Sequence, residues 1–268
     1  MNRDKKRSPQ ALTLHSRRRI TAAHVRYYRQ QCLIIKKKTE FFDMDSTFYS
    51  DLENIFSKSR LSAYKKDSAD DKTALARYLY NIELCKSLYA PLNVFEISLR
   101  NTIDKSLCTF AGNIDWYDTL PFDSSSKNKI FEAKKKICKK GKALTHDRIV
   151  AEFTLGFWTS IITTRYSQAA FQSYIIKNNL KKCPASSKNI KNLQQIFEKM
   201  RILRNSVSHY ERILHWKDLP QQHNQLLECI KWLDESAFQL LSEIDFFDYI
   251  FSAGVNPFLV LVSKKWNR

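Results

Sequence analysis

The chain has 268 residues, 43% of them hydrophobic and 13% aromatic, with a formal net charge of +18. That is enough apolar material for one large domain plus an appendage, and four glycines with six prolines leave few places to turn, which favours long helices over many strands. No run approaches the roughly 18 apolar residues of a membrane span, no signal-like segment follows the N-terminus, and six scattered cysteines without a Cys-x-x-Cys pair exclude a disulfide scaffold or clustered-thiol zinc site. These features place the chain in the cytoplasm.

Residues 1–45 read as a basic N-terminal arm, partly helical or without fixed structure. Positions 1–40 carry twelve Lys/Arg against Asp4 and Glu40, a surplus of ten that supplies over half of the net charge. Such an excess favours a polyanionic partner, because neutralised phosphates release condensed counterions. RNA, DNA and an anionic membrane surface all satisfy that charge.

Helical periodicity begins near residue 48 and defines a helical domain over 46–252. In "LARYLYNIELCKSLYAPLNVFEISLRNTIDKSL", Leu75, Leu79, Ile82 and Leu88 recur near 3.6-residue spacing, and Leu92, Phe95, Leu99, Ile103 and Leu107 continue the stripe. Pro91 between them opens a fresh helix or kinks the preceding one. Glu96 and Arg100 stand at i,i+4, the spacing of an intrahelical ion pair; alternatively Glu96, Arg100 or Asn101 supports a functional helix elsewhere or contacts RNA.

Residues 111–129 have the Gly, Pro and Ser clustering of a loop. The run "KKKICKKGK" that follows is helical up to a break near Gly141, and Lys134, Lys135, Lys136, Lys139 and Lys140 form a second basic patch suited to RNA. Next, "HDRIVAEFTLGFWTSIITTRYSQAAF" returns to apolar periodicity, with Phe157 and Trp158 as core aromatics. His146 sits at a helix start or loop. After a loop at "NNLKKCPASSKN", helices are expected over 188–216 and 221–251, with His215 and His223 on the surface. The tail 253–268 contains "NPFLVLVSKKW", a short strand or an apolar packing segment.

The segment "KMRILRNSVSHYERILHW", 199–216, carries the chemistry. On a helical wheel advancing about 100° per residue, Met200, Leu203, Val207, Tyr210 and Leu214 share a core stripe, and Arg201, Arg204, Asn205, Ser208, His209 and Arg212 fall on the opposite side. Those polar types suit metal-free phosphodiester cleavage. Histidine titrates near neutrality and transfers protons at the 2′-hydroxyl or the leaving 5′-oxygen; arginine offers a permanent planar charge to the phosphoryl oxygens. Asn205 orients the imidazole or holds a phosphate oxygen. RNA brings its own nucleophile, so a site this sparse suffices without metal or cofactor. Arg201 is a further RNA contact.

"LRNSVSHYERIL" resembles the signature helix of the HEPN superfamily of RNases, with Arg, a polar residue and a following His. With "SKSRLSAYKKD" (58–67), "LYNIELCKSLYAPLNVFEISLRNTI" (79–103) and "HDRIVAEFTLGFWTS" (146–160), the order of segments is similar to the Abi-like, abortive-infection branch of bacterial HEPN proteins. The resemblance covers roughly 55–245. It implies an all-α, HEPN-like helical bundle and a homodimer in which two motif helices meet. It also implies metal-independent endoribonuclease activity in anti-phage defence or a toxin-like role, with an antitoxin or a regulatory RNA as a candidate partner. Arg204 and His209 become the catalytic pair and Asn205 their polar partner, with Glu96, Arg100, Asn101, Ser208 and Arg212 in support. Two positions depart from relatives: Glu211 stands where some HEPN toxins have tyrosine, and Tyr210 where Abi-like relatives often have a second histidine. A non-catalytic RNA-binding HEPN module and a DNA- or membrane-directed protein are the competing readings.

Overall fold

The computed structural model describes residues 47–65 and 70–266, so the basic arm lies outside the described residues. These residues form thirteen α-helices and one 3-10 turn, with no strand. The all-helical class read from the sequence holds.

The frame is one long helix. Two short helices, α1 (Phe48–Phe56) and α2 (Lys58–Ser62), precede α3, which runs unbroken from Asp71 to Ala111. At about 1.5 Å per residue, its 41 residues span about 60 Å. Asp70 caps its start by accepting from Thr73 N at 2.7 Å, and Gly112 ends it at φ 70°, a left-handed geometry that glycine adopts without penalty. Pro91 neither starts a new helix nor ends the old one. Losing its backbone donor inside a helix costs about 3 kcal/mol. The ring is buried beside Leu88 and Leu92, and the continuous stripe Leu84, Leu88, Leu92, Phe95, Leu99, Ile103, Leu107 offsets that cost through packing. Ile82, expected on the stripe, is instead 38% exposed.

The remaining helices wrap α3. The supposed loop 111–129 contains α4 (Trp116–Thr119) and the start of α5 (Ser124–Lys139), whose cap Asp123 accepts from Ser126 N. Helix α5 stops just before Gly141, as the sequence suggests. A break at Phe153–Thr154 divides the next apolar segment into α6 (His146–Glu152) and α7 (Leu155–Ile161). Phe157 and Trp158 are core residues, packed with Trp116, Phe153 and Phe122 in one aromatic cluster. Helix α8 (Ala170–Asn179) leads through the expected loop to α9 (Ile190–Ser208).

Beyond α9 the long helices read from the sequence are cut short. The chain leaves helix at His209 rather than at 216, and 221–251 divides into α10 (Leu219–Leu233), α11 (Glu235–Ser242) and α12 (Phe247–Ala253). His223 is 1% exposed, not a surface residue: its Nε2 pairs with Asp245 at 3.0 Å and its ring stacks on Phe247. Of the two alternatives for the tail, the apolar packing segment holds and the strand does not. It forms α13 (Asn256–Trp266), which lies against α3 and buries Val262 with Leu75 and Ala76.

Candidate functional site

The helical wheel holds for α9 and fails two residues after its end. Leu193, Phe197, Met200 and Leu203 are sealed in the core, and Val207 is 6% exposed. Arg201, Arg204 and Asn205 are half-buried on the other side, while Ser208 and His209 are exposed. Tyr210, expected on the core stripe, is 73% exposed. The cause is a helix stop. Glu211 N donates to Ser206 O at 2.9 Å and Tyr210 N to Val207 O at 3.2 Å, the paired bonds of a Schellman C-terminus, with Tyr210 in the left-handed position at φ 57°. Glycine normally occupies that position; a tyrosine there is strained.

Contacts remote in sequence hold that strained turn. Arg60 Nη1 donates to Tyr210 O at 2.9 Å, and Arg212 Nη1 donates to Ala63 O. Asn81 on α3 is 3% exposed and serves both polarities: its amide donates to Glu211 O at 3.0 Å, and its oxygen accepts from Ile213 N at 2.8 Å and Leu214 N at 3.1 Å. Ser206 Oγ donates to Glu211 at 2.6 Å. Of the bracing side chains Arg60, Asn81, Ser206 and Arg212, only Arg212 is singled out by the sequence; Arg60 and Asn81 lie inside two of the segments that carry the resemblance.

Arg204 is placed by α3. Its Nε donates to Glu96 Oε2 at 3.0 Å and its Nη2 to Glu96 Oε1 at 3.4 Å. Glu96 therefore pairs across helices instead of with Arg100, whose Nε donates to Asn101 at 3.1 Å. A carboxylate gripping the Nε–Nη2 edge fixes the guanidinium plane and leaves Nη1 turned toward Asn205 Oδ1, at 3.5 Å. Asn205 and His209 are linked through the backbone, His209 N donating to Asn205 O at 2.8 Å. The His209 side chain makes no hydrogen bond among the described residues.

The second predicted patch is different. Lys134 pairs with Asp118, Lys135 with Glu132, and Lys136 and Lys140 both with Glu152, whose carboxyl they hold below the usual range. Lys139 has no ion pair among the described residues. A cleft of about 530 Å³ opens here, lined by Lys129, Lys135, Lys136, Lys139, Thr154 and Phe157. Gly156, next in sequence to the lining residue Phe157, faces the motif helix: a Cβ there would lie 3.7 Å from Arg201 Cδ. Arg201 itself is paired with Glu198.

Around the motif lies an apolar margin. A groove of about 470 Å³, lined in part by Phe56, Arg60, Tyr78, Tyr89 and Tyr210, opens beside the Schellman turn. Ile97 on α3 and Ile202 on α9 are 40% and 45% exposed.

One group of side chains could hold a metal ion. Asp104, Cys108 and His146 place ligand atoms within 4.8 Å of one another. Burial first, and the Asp104 carboxylate second, push the Cys108 thiol up. No family model, curated protein or solved structure matches this chain. No helix among the described residues is long and apolar enough to cross a membrane.

Proposed function

We propose that the chain is a HEPN-type endoribonuclease of the Abi-like kind, cutting RNA without a metal at a site completed by a second copy. It would act in the cytoplasm as an abortive-infection or toxin-like effector. The carrying observation is the asymmetry at the end of α9: Arg204 is fixed in plane by Glu96, while the His209 imidazole stands exposed and unbonded a little further on. A proton-transfer group has to be free to meet its substrate, and a charge-stabilising group gains from being pre-oriented. In this reading His209 exchanges a proton with the attacking 2′-oxygen or the leaving 5′-oxygen. Arg204 Nη1 and the Asn205 amide meet the phosphoryl oxygens.

Three features support the rest. Ile97 on α3 and Ile202 on α9, the latter on the side of α9 that carries Asn205, are exposed and give a second copy apolar surface to cover. The rings of Tyr89 and Tyr210, 68% and 73% exposed, offer stacking surfaces to unpaired bases. The lysine cleft on α5 offers a further basic surface to an RNA strand. The Glu96–Arg204 pair also favours a second reading, an RNA-binding module without cleavage, because a guanidinium committed to a carboxylate has less charge to lend a phosphate.

End-group analysis of RNA treated with wild-type and His209→Ala protein decides between them. Fragments ending in a 2′,3′-cyclic phosphate, produced only by the wild type, are the expected result. A gel shift with intact RNA from both proteins establishes the binding module instead.

A further inference from the structure

The side chains of Asp104, Cys108 and His146 meet where α3, α4 and α6 come together, away from the motif. Asp104 and Cys108 are one turn apart on α3, and His146 is the first residue of α6. His146 Nε2 lies 3.1 Å from Asp104 Oδ2 and 4.0 Å from Cys108 Sγ, and Sγ lies 3.9 Å from Asp104 Oδ1. Three different donor types, sulfur, nitrogen and oxygen, thus converge on one small volume. The side chains of His146 and Asp104 are only 16% and 19% exposed.

Those spacings are close to those of a tetrahedral ion. Zinc bonds of about 2.3 Å to sulfur and about 2.1 Å to nitrogen or oxygen put S···N and S···O about 3.6 Å apart and N···O about 3.4 Å apart. The two separations at His146 Nε2 differ from these by a few tenths of an ångström, within reach of side-chain rotation; the 3.9 Å from sulfur is to Oδ1, and one carboxyl oxygen, the sulfur and the nitrogen all lie within 4.8 Å of one another. The orienting contacts that metal ligands need are partly in place. Trp116 Nε1 donates to Asp104 Oδ1 at 2.8 Å, leaving Oδ2 to the shared volume, and the Tyr117 ring stacks on His146 at 6.1 Å and 20°.

A nucleophilic cysteine is the other chemistry such a trio suggests, and the geometry opposes it. In a Cys–His–Asp relay, thiol and carboxylate address opposite imidazole nitrogens. Here both lie at Nε2, while Nδ1 is buried without a partner among the described residues. Sulfur and carboxylate sharing one nitrogen is the arrangement of ligands around a common centre.

We propose that Asp104, Cys108 and His146 bind a borderline-soft divalent cation of the zinc class, with solvent completing its coordination. The ion replaces the thiol proton, which is released to water. The imidazole proton moves from Nε2 to Nδ1, so Nε2 presents its lone pair. Charge then balances, a dication against one thiolate and one carboxylate. The ion would staple α3 to α6 close to buried Trp116. Asp104 lies eight residues beyond Glu96, about 12 Å along α3, so this site is separate from the proposed RNA site.

Cobalt(II) provides a direct test. Metal-free, tag-free full-length protein titrated with Co²⁺ should saturate at one ion per chain, with a near-ultraviolet thiolate-to-cobalt band and strong visible bands of four-coordinate geometry; Zn²⁺ should then displace the cobalt. Cys108→Ser should lose the thiolate band while its circular dichroism stays that of the wild type, and His146→Gln should weaken affinity tenfold or more. Cys138→Ser, which removes an exposed thiol outside the cluster, should change nothing. Zn²⁺ should raise the melting temperature of the wild type and not of Cys108→Ser. Wild-type protein without the thiolate band, or a band that persists in Cys108→Ser, overturns the proposal.

Discussion

The two cationic surfaces of this molecule are built in opposite ways. Along α5, cations outnumber acids in the sequence, yet Lys134, Lys135, Lys136 and Lys140 each find a carboxylate in the fold. At the end of α9 there are fewer charges, but they are differentiated: Arg204 is clamped by a residue 108 positions away, and the His209 side chain has no hydrogen-bond partner among the described residues. Charge density and chemical readiness are separate properties. Exposed ion pairs on a helix contribute about 0–1 kcal/mol and are screened by salt, so the α5 patch is suited to weak contact, whereas an oriented guanidinium near a free imidazole is suited to a reaction.

The contrast is broken most sharply by removing the imidazole. His209→Ala should reduce RNA cleavage by about 10²–10⁴-fold, the usual contribution of a general acid–base group, with the fold unchanged by circular dichroism. Replacing Lys134, Lys135, Lys136 and Lys140 together by Gln should lower cleavage only a few-fold and flatten the salt dependence of RNA binding. A larger loss from the lysine variant would reverse the roles assigned to the two surfaces.

Next in size is the margin around the motif. Ile202→Glu sets a carboxylate on exposed apolar surface on the Asn205 side of α9 and should convert a dimer into monomers in sedimentation, with activity falling at least tenfold. An unchanged sedimentation coefficient would show that the second copy sits elsewhere or is absent.

Asn81→Ala attacks the brace rather than the chemistry. It strips partners from Glu211 O, Ile213 N and Leu214 N in a buried setting, and should cost about 2–4 kcal/mol in chemical denaturation. The smallest effect belongs to Tyr210. Left-handed backbone costs a non-glycine residue about 1–2 kcal/mol, partly regained by glycine's greater unfolded entropy, so Tyr210→Gly should stabilise by less than about 1 kcal/mol. Tyr210→Ala should give no such gain.

Several positions whose local signals pointed elsewhere share one feature. Glu96 had a sequence-adjacent cation, Arg100, yet the structure pairs it with Arg204, since α9 crosses α3 at that level. His223 looked like surface because neighbours in sequence offer it no ligand; its partner Asp245 is 22 residues on. Pro91 is a strong local signal for a break, overridden by a stripe that stays apolar on both sides of it. Each local rule was sound, and packing energy outweighed it.

What the amino-acid order determined unaided was the helical class, the identity of most buried faces, and the outward placement of Arg204, Asn205 and His209. Those follow from 3.6-residue periodicity, which operates within a few turns. What tertiary structure alone decided was where α9 stops, which carboxylate holds Arg204, and the meeting of Asp104 and Cys108 with His146. No local period encodes these outcomes, because each depends on hydrogen bonds or contacts closed across 38 to 150 residues of intervening chain.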